Sequence, residues 1–129
     1  MSGFENAITV GKVDESSGTA TLTNITFTNN TGDAVITNEG TVTLSSVTFS
    51  GNNTTIDIAN NGELIITGED DQETVLDKGI SGTGNVTIDD GAMLTNGNNS
   101  TITQSSITVN GSLINENDTF IIKNEGGCL

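Results

Sequence analysis

Apolar and polar residues alternate in short runs along this chain, as in Val42-Thr43-Leu44 and Val47-Thr48-Phe49. A period of two marks a strand with one buried face. Each run stops within a few residues at a turn-forming cluster: Asn29-Asn30-Thr31-Gly32, Gly51-Asn52-Asn53 or Asn60-Asn61-Gly62. The runs also recur at a fixed interval. Written in lines of about 22 residues from Thr19, the chain places Ala20, Val42, Leu64 and Val86 in one column and Leu22, Leu44, Ile66 and Ile88 in a second. Ile36, Ile58, Ile80 and Ile102 form a third, and Gly18, Gly40, Gly62 and Gly84 close the lines.

Three short strands and three turns fill such a line. The same apolar type returning at the same place means coils stacked in register, each inward side chain resting on its equivalent, with equivalent strands running the same way. The pattern therefore predicts an all-β fold: a right-handed parallel β-helix (β-solenoid) of five to six coils of about 22 residues, spaced about 4.8 Å apart. One domain spans residues 1–129, with an irregular or incomplete first coil over 1–18, stacked coils over 19–126 and a tail over 127–129. Ile8 and Val10 supply part of the first coil. Ile107, Val109, Ile114, Phe120 and Ile122 carry the last one to Gly126, with a slip of about one residue. Thr19, Thr21, Thr41, Thr43 and Thr87 fall on outward positions, and the turn asparagines are expected to stack along the axis, Asn29 with Asn52 and Asn38 with Asn60. The third coil departs from the pattern, with Glu69 and Asp71 where the first has Ile25 and Phe27. An unpaired charge cannot enter an apolar core, so residues 69–73 are expected to bulge outward, with Val75 and Leu76 returning inside.

Composition sharpens this reading. Only 32% of the chain is apolar and 3% aromatic, a balance that by itself would suggest disorder. Disorder does not need isoleucine in register, so the columns overrule it. The net charge is −14, with Lys12, Lys78 and Lys123 as the cations. Such a surface repels phosphate backbones and anionic lipid, which excludes nucleic-acid binding and argues against a membrane partner. No apolar stretch approaches the roughly 20 residues that cross a bilayer, and the opening residues show no secretory signal. Cys128 has no second cysteine to pair with. It is expected to be exposed.

Phe27-Thr28-Asn29-Asn30 and Phe49-Ser50-Gly51-Asn52 match the F-x-x-N element of the polymorphic outer-membrane-protein type repeat, and Gly32-Asp33-Ala34-Val35 resembles its G-G-A-[ILV] element with Asp33 in place of the second glycine. The similarity is closest over residues 19–60. It implies a right-handed β-helix of a large cell-surface protein, used in adhesion.

β-Helices also carry polysaccharide lyases and hydrolases. A lyase needs a strong base, yet the chain has no Arg or His and its lysines fall in unrelated columns. A hydrolase needs converging carboxylates; Asp70, Asp71, Asp89 and Asp90 lie in adjacent coils, but acidic pairs in turns are normally solvated. Asp70, Asp71 and Glu73 offer oxygen ligands for Ca²⁺, without the glycine-rich nonapeptide of calcium-binding β-rolls. No glycine stretch follows a strand and opens a helix, so no phosphate loop is present. Catalytic residues, metal and cofactor are all expected to be none, and the binding residues stay unassigned. Asn24, Asn29, Asn52, Asn53, Asn85, Asn98, Asn99, Asn110 and Asn117 each begin a glycosylation sequon, as an Asn- and Thr-rich chain produces by chance. The Thr19/Thr21 and Thr41/Thr43 pairs are the kind that bind ice, but Glu63, Ile65 and Asn85 interrupt them.

The expected function is therefore non-catalytic: a structural or adhesive β-helix of a cell surface or extracellular assembly, self-associating through open solenoid ends into filaments, with a host-surface or glycan partner. A carbohydrate-binding or carbohydrate-cleaving β-helix is the alternative, and an ice-binding solenoid a more distant one.

Overall fold

The computed structural model describes residues 2–13, 16–68, 72–97, 100–115 and 122–124. Elements run rung by rung. β1 (Ile8–Val10), β2 (Lys12–Val13) and β3 (Ser16–Ser17) come first, β2 and β3 pairing as an antiparallel hairpin. The first full rung is β4 (Thr19–Thr23), β5 (Thr26–Phe27) and β6 (Thr31–Asn38); the second is β7 (Thr41–Ser45), β8 (Thr48–Phe49) and β9 (Asn53–Asn60). The third is β10 (Glu63–Thr67), β11 (Thr74–Leu76) and β12 (Gly79–Ser81), and the fourth β13 (Asn85–Ile88), β14 (Met93–Asn96) and β15 (Thr101–Gln104). β16 (Ser106–Val109), β17 (Ser112–Asn115) and β18 (Ile122–Asn124) continue beyond it.

These strands assemble into three parallel sheets, ordered β16-β13-β10-β7-β4, β17-β14-β11-β8-β5 and β1-β6-β9-β12-β15-β18. The expected parallel β-solenoid is what forms, with about four full turns and partial turns at both ends in place of five to six coils. β1 belongs to the stack, Ile8 pairing with Ile36, so residues 8–10 are the start of a coil. At the far end the slip exceeds one residue: Val109 pairs with Ile88 but Ile114 with Thr95 and Ile122 with Ile102, each spacing shorter than the 22-residue period of the ladder from Asn30 to Asn52.

Register turns the columns into a core. Leu22, Leu44, Ile66 and Ile88 are directly cross-paired, and Leu44, Ile58, Leu64, Ile66 and Ile88 are fully buried. Each such side chain contributes roughly 1.5–3 kcal/mol. Phe27 and Phe49 stack with ring centroids 5.2 Å apart and planes 13° apart. The glycine column has a packing cause. A Cβ on Gly40 would run into the Gly18 carbonyl, one on Gly62 into the Gly40 carbonyl and one on Gly84 into the Gly62 carbonyl. At this corner the rungs approach too closely for any side chain.

The third rung keeps its length by two changes that cancel. Val75 pairs with Thr48, 27 residues back, so five residues beyond the period lie between β10 and β11. Only 5 residues then separate Val75 from Ile80, against 10 between their partners Thr48 and Ile58. Of the stretch 69–73 expected to bulge outward, residues 69–71 lie outside the described residues, while Gln72 is half-buried and Glu73 exposed. Past it, the expected inward pair is corrected. Thr74 and Leu76 are buried while Val75 is only half-buried, because Val75 shares the outward position of Thr48. Thr74 is accommodated by its hydroxyl, which accepts the Val47 amide at 3.3 Å.

Candidate functional site

β6 and β9 are the longest strands, and both break the period of two at the same place. Val35 and Ile36 are adjacent and both buried, as are Asp57 and Ile58 one rung on, and the ladder pairs Ala34 with Ile56 and Ile36 with Ile58 while omitting the residues between. Outside this break lies a shallow groove of about 450 Å³. Ala34, Ile56 and Ala59 form its apolar part, and Asp33, Thr37, Thr55 and Ser81 its polar part.

Asp57 sits at the break and is fully buried. Its Oδ2 accepts three consecutive backbone amides, Asp77 at 2.7 Å, Lys78 at 2.8 Å and Gly79 at 3.0 Å. Oδ1 has no hydrogen-bond partner. Burial pushes the carboxyl above its ordinary range, opposed by the amides and reinforced by the nearby Asp77 charge. This arrangement follows from the third rung. β12 continues only the second half of β9, through Ile58 and Ala59. The Asp57 carboxylate gathers the amides of the shortened turn that arrives there, a concavity of N–H groups of the kind that holds anions. A charged residue between Ile56 and Ile58 was the available signal in the sequence, but alternation assigns it to the outer face.

The asparagine ladders are real, with one partner corrected. Asn38 Nδ2 donates to Asn60 Oδ1 at 2.7 Å, as expected. Asn52 pairs with Asn30 and not with Asn29: Asn30 N and Nδ2 both donate to Asn52 Oδ1 at 3.0 Å. Asn29 instead takes a left-handed turn conformation at φ 57° and is exposed. The F-x-x-N element is thus structural here, its phenylalanines stacked and its asparagines bonded, with Asn52 Nδ2 donating to the Phe27 carbonyl at 3.0 Å. The Asn60 ladder skips a rung. Gly82 occupies the third-rung position, and Gln104 in the fourth reaches across, its Oε1 accepting Asn60 Nδ2 at 2.6 Å.

Asp90 is an exposed turn residue and Asp89 half-buried beside it; Asp70 and Asp71 lie outside the described residues, as do Glu69, Asn98, Asn99, Asn117, Phe120, Gly126 and Cys128. Glu73 binds within the stack, accepting the Thr95 hydroxyl at 2.7 Å. Of the sequons, Asn52 is 5% exposed, and its amide is already engaged. The threonine face is interrupted where expected: Glu63 accepts Asn85 Nδ2 at 2.8 Å, and Asn85 Oδ1 accepts the Ser106 hydroxyl at 2.7 Å. Among the described residues, no group of three or more metal-ligating side chains converges and no helix is long and apolar enough to cross a membrane. No family model, curated protein or solved structure matches the chain, so its function has to be read from this geometry.

Proposed function

We propose that the chain is a non-catalytic structural and adhesive solenoid of a cell surface or extracellular assembly, whose rungs continue from one copy into the next. The observation that supports this is the match between the two ends of one sheet. β4 and β16 are its terminal strands and carry the same columns. Ala20 and Leu22 are half-buried on β4; Ile107 is half-buried and Val109 46% exposed on β16. Parallel pairing of β16 with the β4 of a second copy would satisfy both strand edges and cover these side chains. The likeness to outer-membrane-protein type repeats points the same way. Sedimentation velocity and negative-stain microscopy over a salt series test the reading. Dimers or filaments should grow as salt screens the repulsion between subunits of charge −14, and Val109→Asp should abolish them. A monomer at every salt concentration overturns end-to-end association.

The groove on β6 and β9 favours a second reading, a carbohydrate-binding face in which the apolar floor meets sugar C–H groups and the polar rim meets hydroxyls. A glycan array separates the two readings. Binding that Ile56→Asp eliminates supports the groove; an empty array removes it.

A further inference from the structure

Three Asn-Gly dipeptides occur in the chain: Asn61-Gly62, Asn96-Gly97 and Asn110-Gly111. An asparagine followed by glycine can cyclise when the next backbone nitrogen attacks the side-chain carbonyl carbon, since glycine presents no side chain to obstruct the approach. In a folded chain the reaction depends on whether that nitrogen is free and whether the carbonyl is polarised. The structure separates the three sites on both counts. Gly97 N–H donates to the Leu76 carbonyl and Gly111 N–H to the Ile88 carbonyl, each at 3.1 Å, and Asn96 is fully buried.

Gly62 N–H meets no acceptor among the described residues, although both neighbours do. Asn61 N–H donates to Asn38 O at 2.9 Å and Glu63 N–H to Gly40 O at 2.8 Å. The stacked glycines of the same corner differ. Gly18 N–H donates to Gly11 O at 2.9 Å, Gly40 N–H to Asn38 Oδ1 at 2.9 Å and Gly84 N–H to Asn60 O at 3.0 Å. They follow Ser17, Glu39 and Thr83, so the one stacked glycine with an unengaged amide is also the one preceded by asparagine. Asn61 is exposed, and its Oδ1 accepts the Thr83 amide at 3.0 Å and the Thr83 hydroxyl at 3.4 Å. Donors on this oxygen stabilise the negative charge that a tetrahedral intermediate places there.

We propose that Asn61-Gly62 is a self-modifying site. The Gly62 nitrogen loses its proton to hydroxide and bonds to Asn61 Cγ. The Cγ–Nδ2 bond then breaks, and the nitrogen leaves as ammonia after taking a proton from water. A succinimide ring remains. Water opens it at either carbonyl, leaving an aspartyl or isoaspartyl linkage at position 61, with no change of oxidation state. Both products add a negative charge to a chain already at −14. The isoaspartyl product also inserts a methylene into the backbone next to Gly62, where contact with the Gly40 carbonyl leaves no room for a Cβ. That product loosens the corner between the second and third rungs.

The test is incubation of the intact, folded protein in mildly alkaline buffer, followed by peptide mapping for amide loss and isoaspartate at each Asn-Gly pair, with a parallel sample in denaturant. In the folded protein Asn61 should react at least about tenfold faster than Asn110 and Asn96, and the three should converge in denaturant. Equal rates at Asn61 and Asn110 in the folded protein, or no reaction at Asn61, overturn the proposal. The same preference for Asn61 in denaturant also overturns it, because local sequence and not the folded corner would then set the rate.

Discussion

Replacing Asp57 with alanine removes the acceptor shared by the amides of Asp77, Lys78 and Gly79. The first two bonds are part-buried and the third is buried. Water can therefore reach the first two donors, and only the Gly79 amide bears the full cost of an unmet buried donor. An unmet buried group costs about 1–3 kcal/mol and a bond to a charged acceptor about 1.5–3 kcal/mol. Relief of a desolvated carboxylate offsets part of this, so Asp57→Ala should cost about 2–4 kcal/mol, a large share of the 5–15 kcal/mol typical of a domain. Urea unfolding followed by circular dichroism measures it. The titration adds a sign. Burial raises the folded-state pKa above the ordinary value of 3.8. Between the unfolded and folded values the native state holds more protons, so its stability rises as pH falls. The contribution is fully present below the unfolded pKa and lost as pH rises through the folded one. Asp57→Asn cannot take up that proton, so its deficit relative to the parent should widen on going from about pH 7 to about pH 4. A loss below about 1 kcal/mol for Asp57→Ala, or a deficit of Asp57→Asn that stays constant with pH, would mean that the buried Asp57 carboxyl does not hold this turn.

Three further expectations follow from the stack. Gly62→Ala drives a Cβ into the Gly40 carbonyl and should cost about 3 kcal/mol or more, whereas Gly11→Ala, with open space around it, should stay within about 0.5 kcal/mol; thermal melts compare the two. Leu44→Asp buries an unpaired charge and should cost several kcal/mol while Thr43→Asp on the outer face is nearly neutral; equal melting temperatures for the two would overturn the assignment of faces. Gln104→Ala strips Asn60 Nδ2 of a partner two rungs away and should cost about 1–3 kcal/mol in chemical denaturation, and no loss would mean that Asn60 is satisfied by the Asn85 carbonyl alone.

The period of about 22 residues and the inward columns are legible in the amino-acid sequence alone, because a solenoid repeats by translation. Residues one rung apart occupy the same environment, so the same side-chain type returns at the same spacing. Leu44, Ile58, Ile80 and the glycine corner were all readable on that basis. The ladder from Asn38 to Asn60 was legible for the same reason, and assigning Asn29 to Asn52 failed only because it departed from the period. What depended on tertiary structure lies where the translation is interrupted. Five residues added before β11 and removed after it leave the rung length unchanged, so the line still aligned while Val75 changed face. Asp57 falls at a break in strand alternation, where a period of two assigns the wrong side. Its three donors come from a turn about 20 residues ahead, brought within reach only by stacking. Gln104 meets Asn60 across a rung emptied by Gly82, at twice the repeat spacing. Spacing along the chain reports contacts between neighbouring rungs, whereas contacts that arise because a rung lacks a side chain or a strand segment are decided in three dimensions.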